Sequence, residues 1–106
     1  MKKILILGTA LLCGFLCRVA AQGVEFRDLT FGQALEQART ENKLVFMDCY
    51  TSWCGPCKNM LKNVFTLPEA GEFMNAHFVC VKYDMEKGEG IGLKKQFAVR
   101  AFPTFF

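Results

Sequence analysis

The sequence has 106 residues, and 13 lysines and arginines against 10 aspartates and glutamates give it a formal net charge of +3. Three of the 13 basic residues, Lys2, Lys3 and Arg18, lie in the first 18 positions, so residues 22–106 contain 10 basic and 10 acidic side chains. A neutral segment of this length suits one small domain and excludes a protein that binds nucleic acid through its overall charge.

The N-terminus has the plan of a secretory signal peptide. Two lysines precede an apolar, uncharged stretch at residues 4–16, and Val19 and Ala21 occupy the −3 and −1 positions of a cleavage site. The apolar stretch is too short to span a membrane comfortably. We therefore predict a signal peptide at 1–21, a secreted or periplasmic location for 22–106, and no stable membrane insertion after cleavage. An uncleaved N-terminal anchor is the alternative.

The first predicted elements of the remaining chain are a helix and a strand. Thr30 suits the N-cap position of a helix. Four apolar residues follow it at helical spacing: Phe31, Ala34, Leu35 and Ala38. The helix is predicted to end at Asn42, and the apolar run from Leu44 to Met47, leading on to Tyr50, is short enough for a buried strand.

Helices and strands continue to alternate up to the last residue. In order, the patterns predict a helix through Met60, Leu61, Val64 and Phe65, a short helix opened by Pro68, a strand at 78–83, a helix at 93–97 and a strand at 103–106. Such alternation predicts an α/β fold with a parallel core sheet that helices cover on its faces. The last strand is apolar and has no successor, so we expect the sequence to be a fragment of a longer chain.

Cys54 and Cys57 flank a Gly-Pro turn between the first strand and the next helix, and three kinds of site are open to them. A structural zinc site needs four ligands, and the other candidates are Cys49, Cys80 and His77, without a second C-x-x-C pair. A structural disulfide around a two-residue loop would remove little unfolded-state entropy. A redox pair is therefore favoured, and we predict no metal and no bound cofactor.

The position of the pair at the start of a helix favours redox chemistry. Unpaired N–H groups and the positive end of the helix dipole stabilise a thiolate and lower the thiol pKa below about 8.5. We expect Cys54 at the exposed mouth of the turn to attack a substrate disulfide, and Cys57, shielded one turn into the helix, to resolve the mixed disulfide. Pro56 suits an early helical position and limits how freely the sulfurs separate.

Two segments carry a resemblance to a known family. Asp48 to Lys58, DCYTSWCGPCK, is similar to the active-site segment of the thioredoxin superfamily, and Val99 to Thr104, VRAFPT, is similar to its cis-proline loop. Over about 29–106, the chain resembles exported thioredoxin-like thiol:disulfide interchange domains. The resemblance implies a thioredoxin-like α/β fold, a central sheet flanked by helices, without the family's C-terminal hairpin strands and last helix.

The resemblance also implies which residues act on the redox pair. Asp48 would be the buried acid that aids proton transfer to and from Cys57, and its alternative role is that of a hydrogen-bonded aspartate at the end of a strand. Thioredoxins often place a lysine on the central strand near this acid. The resemblance puts Cys80 at that position, with Lys82 two residues later.

Three further residues would form the substrate-binding surface. Trp53 would shape the surface around Cys54, and its alternative role is simple packing. Pro103 would have a cis peptide bond, which rests wholly on the resemblance because X-Pro bonds are usually trans. Phe102 would face the substrate groove, where thioredoxins often have a threonine or a β-branched residue.

The remaining polar and sulfur-containing residues have plainer interpretations. Cys49 and Cys80 fall in predicted strands and suit small apolar core positions, although a second disulfide between them stays open. His77 is predicted to lie in a solvated turn between a helix and a strand. Lys94 and Lys95 are interpreted as an exposed helical face.

The function implied is that of an exported thiol–disulfide oxidoreductase that reduces protein disulfides through a mixed disulfide on Cys54. The Gly-Pro dipeptide resembles that of reductants, and a reductant in an oxidising compartment needs electrons, which a membrane electron donor would supply. One alternative is a disulfide oxidase or isomerase. Another is a thioredoxin-fold module that binds clients without turnover, and a third is a metal chaperone that binds copper or zinc through the reduced pair. No nucleic-acid partner is predicted.

The predicted signal peptide can be checked directly. Cleavage after Ala21 should give exported material whose N-terminal sequence begins at Gln22. Edman sequencing of protein collected outside the cytoplasm measures this, and a mature chain that still begins at Met1 would contradict the prediction.

Overall fold

The structure is a computed structural model that describes residues 22–106, so the predicted signal peptide at 1–21 lies outside the described residues. The elements, in chain order, are α1 (Phe31–Glu41), β1 (Leu44–Tyr50), α2 (Gly55–Asn63), α3 (Pro68–His77), β2 (Phe78–Asp84), α4 (Gly90–Gln96) and β3 (Thr104–Phe105). Among these residues there is no helix long and apolar enough to cross a membrane.

Local signals explain the first helix. The Thr30 side chain accepts a hydrogen bond from the Gln33 N–H, and the Gln33 side chain accepts one from the Thr30 N–H, which together form a capping box. Asn42 ends α1 in the left-handed conformation, a common way to close a helix. Ala34 and Ala38 face inward and are buried. The predicted helix and its N-cap are therefore confirmed.

The sheet has the order β2-β1-β3, with β1 in the centre. β1 pairs with β2 in parallel, from Leu44 opposite Phe78 to Tyr50 opposite Asp84. β3 runs antiparallel to β1, with Thr104 opposite Cys49. The expectation of a parallel sheet is therefore correct for β1 and β2 and wrong for β3.

The register of β3 shows at which end of the sheet it begins. Thr104 stands opposite Cys49 and Phe105 opposite Asp48, so β3 begins at the end where β1 and β2 finish and runs back along β1. The start of β3 therefore lies at the same sheet edge as the end of β1.

The two faces of the sheet bury different side chains. One face holds an aliphatic core: Ala34, Ala38, Met47, Cys49, Val79, Val81, Met85, Leu93 and Val99. The other face holds an aromatic cluster in which the Phe46 ring contacts the rings of Phe65, Phe78 and Phe105.

Cys80 alternates with Val79 and Val81, so its side chain points to the aromatic face, away from Cys49. Both cysteines are buried and free, which confirms the core interpretation and excludes a disulfide between them in this structure.

The segment before α1 also joins the sheet, which the sequence patterns did not predict. Phe26 forms an isolated parallel bridge with Cys80, and the Arg27 N–H donates to the Cys80 carbonyl at 2.9 Å. Upstream, Gly23 crosses α3 at Gly71 so closely that a β-carbon on Gly71 would collide with the Gly23 carbonyl group. A side chain does not fit at this crossing.

This crossing gives a stability prediction. Gly71→Ala should lower the free energy of unfolding by about 1–3 kcal/mol, because the added methyl group forces backbone apart. Urea unfolding of the disulfide form measures the change.

Gly32→Ala is the matched control. Gly32 also lies in a helix, but a β-carbon added to it would meet nothing within 4 Å. This variant should be neutral or up to about 1 kcal/mol more stable, because alanine favours the helix. Equal stability changes in the two variants would contradict the crossing as the cause.

Candidate active site

Cys54 and Cys57 form a disulfide at the start of α2, with 5.3 Å between their α-carbons. Cys54 is the N-cap residue, and its sulfur accepts a hydrogen bond from the Cys57 N–H at 3.2 Å. Pro56 stands in the first turn, where its missing N–H costs no helical hydrogen bond. The Cys54 sulfur thus lies at the positive end of the helix dipole, where a thiolate is stabilised.

Both sulfur-bearing residues are buried in this disulfide form. Cys54 is 3% exposed and Cys57 is 2% exposed, so the expectation that Cys54 lies at an exposed mouth is wrong. The reason is its capping role: the bond to Cys57 and the hydrogen bond from the Cys57 N–H turn the Cys54 sulfur back over the first turn of α2. Gly55 and Pro56 between them remain exposed. The accessible surface of this turn is therefore formed by Gly55 and Pro56.

Asp48 lies in the middle of β1 and is 1% exposed. It points to the same face of the sheet as Phe46, since side chains alternate along a strand. Its Oδ1 has no hydrogen-bond partner among the described residues. Burial raises the pKa of the Asp48 carboxyl to about 6, although the positive charge of Lys82 acts in the opposite direction. A buried acid with a pKa near neutrality can both accept and donate a proton.

The register of β2 corrects the expected position of the neighbouring lysine. Lys82, not Cys80, stands opposite Asp48, whereas Cys80 stands opposite Phe46. Lys82 is exposed, and its ammonium group lies 5.5 Å from the centre of the Phe26 ring. Within residues 22–106 it forms no ion pair with Asp48, so it offsets the buried charge only from a distance.

Trp53 and Phe102 form an aromatic pair beside the disulfide-bearing turn. Their ring centres are 6.0 Å apart and the rings are perpendicular. Trp53 is 65% exposed, while Phe102 is partly buried against the aliphatic core. The Phe102–Pro103 peptide bond is cis, as the resemblance predicts. The structure thus brings Trp53 next to the cis-proline loop, at the sheet edge where β1 ends.

Two further residues of this region were missed by sequence reasoning. Glu86, just after β2, accepts a hydrogen bond from the Trp53 indole N–H at 2.9 Å. Thr51 is buried before the turn, and its hydroxyl oxygen has no partner among the described residues. No motif marks either residue. Glu86 could only have been suspected as an acid that follows a strand on the same sheet edge.

The other candidates play no visible part in this site. Burial raises the pKa values of Cys49 and Cys80 to about 11, so neither thiol is a ready nucleophile. His77 ends α3, is exposed, and its ring lies 4.5 Å from that of Phe73. In the part of the chain that the structure describes, no three His, Cys, Asp or Glu side chains are placed to hold a metal ion.

Comparison with known families identifies the domain. The model of the family Thioredox_DsbH, described as a protein of unknown function (DUF255), matches residues 10–100. The chain belongs to this family. The thioredoxin-like resemblance predicted from the two segments around Cys54 and Pro103 is therefore confirmed.

Relatives of this Thioredox_DsbH domain include thioredoxins and solved oxidoreductase structures. Thioredoxin-2 from Pyricularia oryzae is 32% identical over 88 residues, which cover 83% of the chain and 48% of that protein. A solution structure from Bacteroides thetaiotaomicron, described as a candidate disulphide-isomerase, is 50% identical with a TM-score of 0.70 over 80% of this chain and 70% of that one. A DsbH oxidoreductase structure, at 24% identity, has a TM-score of 0.69 over 82% of this chain and 66% of that one.

These comparisons establish a thioredoxin-like fold. At 24% identity, the likeness to the DsbH oxidoreductase shows the fold alone. The chain spans about half the length of the Pyricularia thioredoxin, with 48% of that protein covered. The roles of Asp48, Trp53, Phe102 and Pro103 in this Thioredox_DsbH domain accordingly remain predictions.

The raised pKa of Asp48 predicts how stability depends on pH. Because the pKa rises from its ordinary value of 3.8 to about 6, the folded protein binds a proton more tightly than the unfolded chain. Stability should therefore fall as the pH rises from about 4 to about 6, and stay lower above that range. Asp48→Asn removes this ionisation. The free energy of unfolding of the variant, minus that of the wild type, should therefore be up to about 3 kcal/mol larger at pH 7 than at pH 4.

Urea unfolding of the disulfide form at both pH values measures this difference. Asp28→Asn is the matched control, since Asp28 is an aspartate outside the sheet and is not buried. The control variant should follow the wild type at both pH values. The same wild-type-to-variant difference at pH 4 and pH 7 for Asp48→Asn would contradict the raised pKa.

Proposed function

We propose that this protein is an exported thiol–disulfide oxidoreductase that reduces protein disulfides with the Cys54–Cys57 pair. The observation that carries the proposal is the disulfide at the N-cap of α2, with the adjoining Trp53 ring packed on Phe102 of the cis Phe102–Pro103 bond. The helix terminus favours a thiolate on Cys54, and the exposed Trp53 beside it offers an apolar surface to a client.

The reaction is an exchange of two electrons. In the dithiol form, the Cys54 thiolate attacks one sulfur of the client disulfide, and the other client sulfur leaves as a thiolate. Cys57 then loses its proton and attacks the Cys54 sulfur of the mixed disulfide, which releases the second client sulfur. The client ends with two thiols, and the Cys54–Cys57 disulfide is formed.

Asp48 is proposed to accept the proton from Cys57. Its burial on β1 and its pKa of about 6 support this role, because the carboxylate is basic enough to take a proton near neutral pH. Its Oδ1 is free of competing hydrogen bonds within the described residues. Trp53, Phe102 and Pro103 are proposed to bind the client backbone and side chains around the disulfide.

The direction of electron flow is proposed to be toward the client. The Gly55-Pro56 dipeptide between the cysteines resembles that of reductants, and a membrane electron donor is proposed to return the disulfide to the dithiol. Export rests on the signal-like segment at 1–21. The 50% identity to the Bacteroides thetaiotaomicron candidate disulphide-isomerase favours one second function, isomerisation of misfolded disulfides.

A trapping experiment tests the exchange reaction. Cys57→Ala should accumulate mixed disulfides through Cys54 in the exporting cell, because the resolving thiol is missing. Non-reducing electrophoresis detects them as bands that collapse on reduction. The double variant Cys54→Ala/Cys57→Ala is the control and should trap nothing. A client-binding module without turnover would give no reducible bands in either variant.

The reduction potential then separates reduction from oxidation and isomerisation. A potential near that of thioredoxin, about −270 mV, supports a reductase, whereas a value toward about −120 mV would turn the assignment to an oxidase. Equilibration with glutathione buffers measures it, followed by mass spectrometry of the alkylated thiols.

A further inference from the structure

A groove separate from the disulfide-bearing turn lies between α4 and the loops that follow β2 and α4. Its volume is about 510 Å³, within the range of sites for small ligands or short peptide segments. Its exposed apolar residues are Ile91, which is 50% exposed, and Ala98, whereas Met85 and Val99 also line it but are almost wholly buried. We call this site the α4 groove.

The α4 groove has a strongly positive rim. Lys94, Lys95 and Arg100 line it, all three are exposed, and none belongs to an ion pair within residues 22–106. Because those residues contain 10 basic and 10 acidic side chains, this positive charge is local and does not reflect the domain as a whole. Three unpaired cations around an apolar floor formed by Ile91 and Ala98 are complementary to an acidic segment with an apolar side chain.

Helix stability explains only part of this arrangement. Lys94 and Lys95 stand in the last turn of α4, where cations favour the helix dipole. Arg100 lies outside the helix, on the loop that leads to Phe102 and Pro103, so the dipole does not account for it. The loop therefore adds a positive charge to the groove that neither the helix dipole nor an ion pair within residues 22–106 explains.

The α4 groove adjoins Trp53, the residue before the disulfide-bearing turn. Glu86 lines the groove and accepts the hydrogen bond from Trp53, which in turn contacts Phe102. Glu86 is the single acidic residue in the lining, and its carboxylate is engaged by the indole. A chain whose disulfide lies at Cys54 would meet Trp53 first and then the cationic groove.

We propose that the α4 groove binds an acidic segment of the client polypeptide, with one apolar side chain on the floor, adjacent to the disulfide that is reduced. This inference rests on the proposed function and names its substrate class. The acidic side chains pair with Lys94, Lys95 and Arg100, and the apolar side chain contacts Ile91 and Ala98. Recognition of this kind orients the client disulfide without any contact to the sulfurs.

The test compares two disulfide-bonded peptides that differ only beside one cysteine, where one carries Asp-Leu-Glu-Glu and the other Lys-Leu-Lys-Lys. The wild type should reduce the acidic peptide with a kcat/KM about tenfold higher at low salt, as expected for three exposed ion pairs, and the preference should shrink in 0.5 M NaCl. Arg100→Glu should lower this ratio at least about fivefold. Because both peptides meet the same variant, a general loss of activity cancels in the ratio.

Arg39→Glu is the matched control. It makes the same charge change at an exposed arginine in the last turn of α1. α1 begins beside Glu89, at the end of the sheet where β2 finishes, so Arg39 lies toward the opposite end. This variant should keep the wild-type ratio. Equal rates on both peptides, or an equal drop in the ratio for Arg39→Glu, would overturn the proposal.

Binding without turnover separates this proposal from the proposed function. Serine versions of both peptides are titrated into the oxidised protein while the fluorescence of Trp53, the single tryptophan of the chain, is recorded. If the acidic peptide binds and Arg100→Glu weakens that binding, the result supports the proposed role of the α4 groove. A failure to reduce disulfides in the same protein would then overturn only the proposed function. If the acidic peptide does not bind, the proposal that the α4 groove binds an acidic segment is wrong. Two other results would also overturn it: binding to phosphatidylglycerol vesicles but to neither peptide, or self-association of the protein that Arg100→Glu abolishes.

Discussion

The position of β1 between two strands is the constraint on which the rest of the structure depends. β1 pairs with β2 in parallel and with β3 antiparallel, and the Met85 N–H extends the pairing by donating to the Tyr50 carbonyl at 2.8 Å. As a result, the end of β1, the end of β2 and the start of β3 meet at one edge of the sheet. The disulfide, Glu86 and the cis Phe102–Pro103 bond come from these three places, far apart in the chain.

Asp48 places an ionisable carboxyl group in the buried part of β1. A carboxyl group on a buried strand between aromatic side chains breaks the ordinary preference for apolar residues there, and such violations tend to mark functional positions. The cost of burying its charge appears as the raised pKa of Asp48. Lys82 stands opposite in β2 but stays in solvent, so it does not cancel that cost. The strand thus holds a carboxyl group whose pKa, about 6, lies well above the ordinary value of 3.8.

Several features could be predicted because their causes are local. The capping box of α1 needs only Thr30 and Gln33, and the start of α2 needs only the turn around Pro56. The cis bond before Pro103 was predicted from the family resemblance alone, because neighbouring residues do not indicate whether an X-Pro bond is cis or trans. The exposure of Cys54 was predicted wrongly. Its direction depends on a hydrogen bond from the Cys57 N–H that the residue pattern alone does not reveal.

By itself, the sequence determined the alternation of helices and strands, the redox pair at a helix start and the burial of Cys49 and Cys80, because spacing, caps and hydrophobicity act over a few residues. Only the tertiary structure decided that β3 runs antiparallel, that Lys82 rather than Cys80 faces Asp48, and that Glu86 holds Trp53. These depend on strand register and on side-chain contacts between elements far apart in the chain. Pairings between residues distant in the chain are set by how whole elements pack, which no short stretch of sequence encodes.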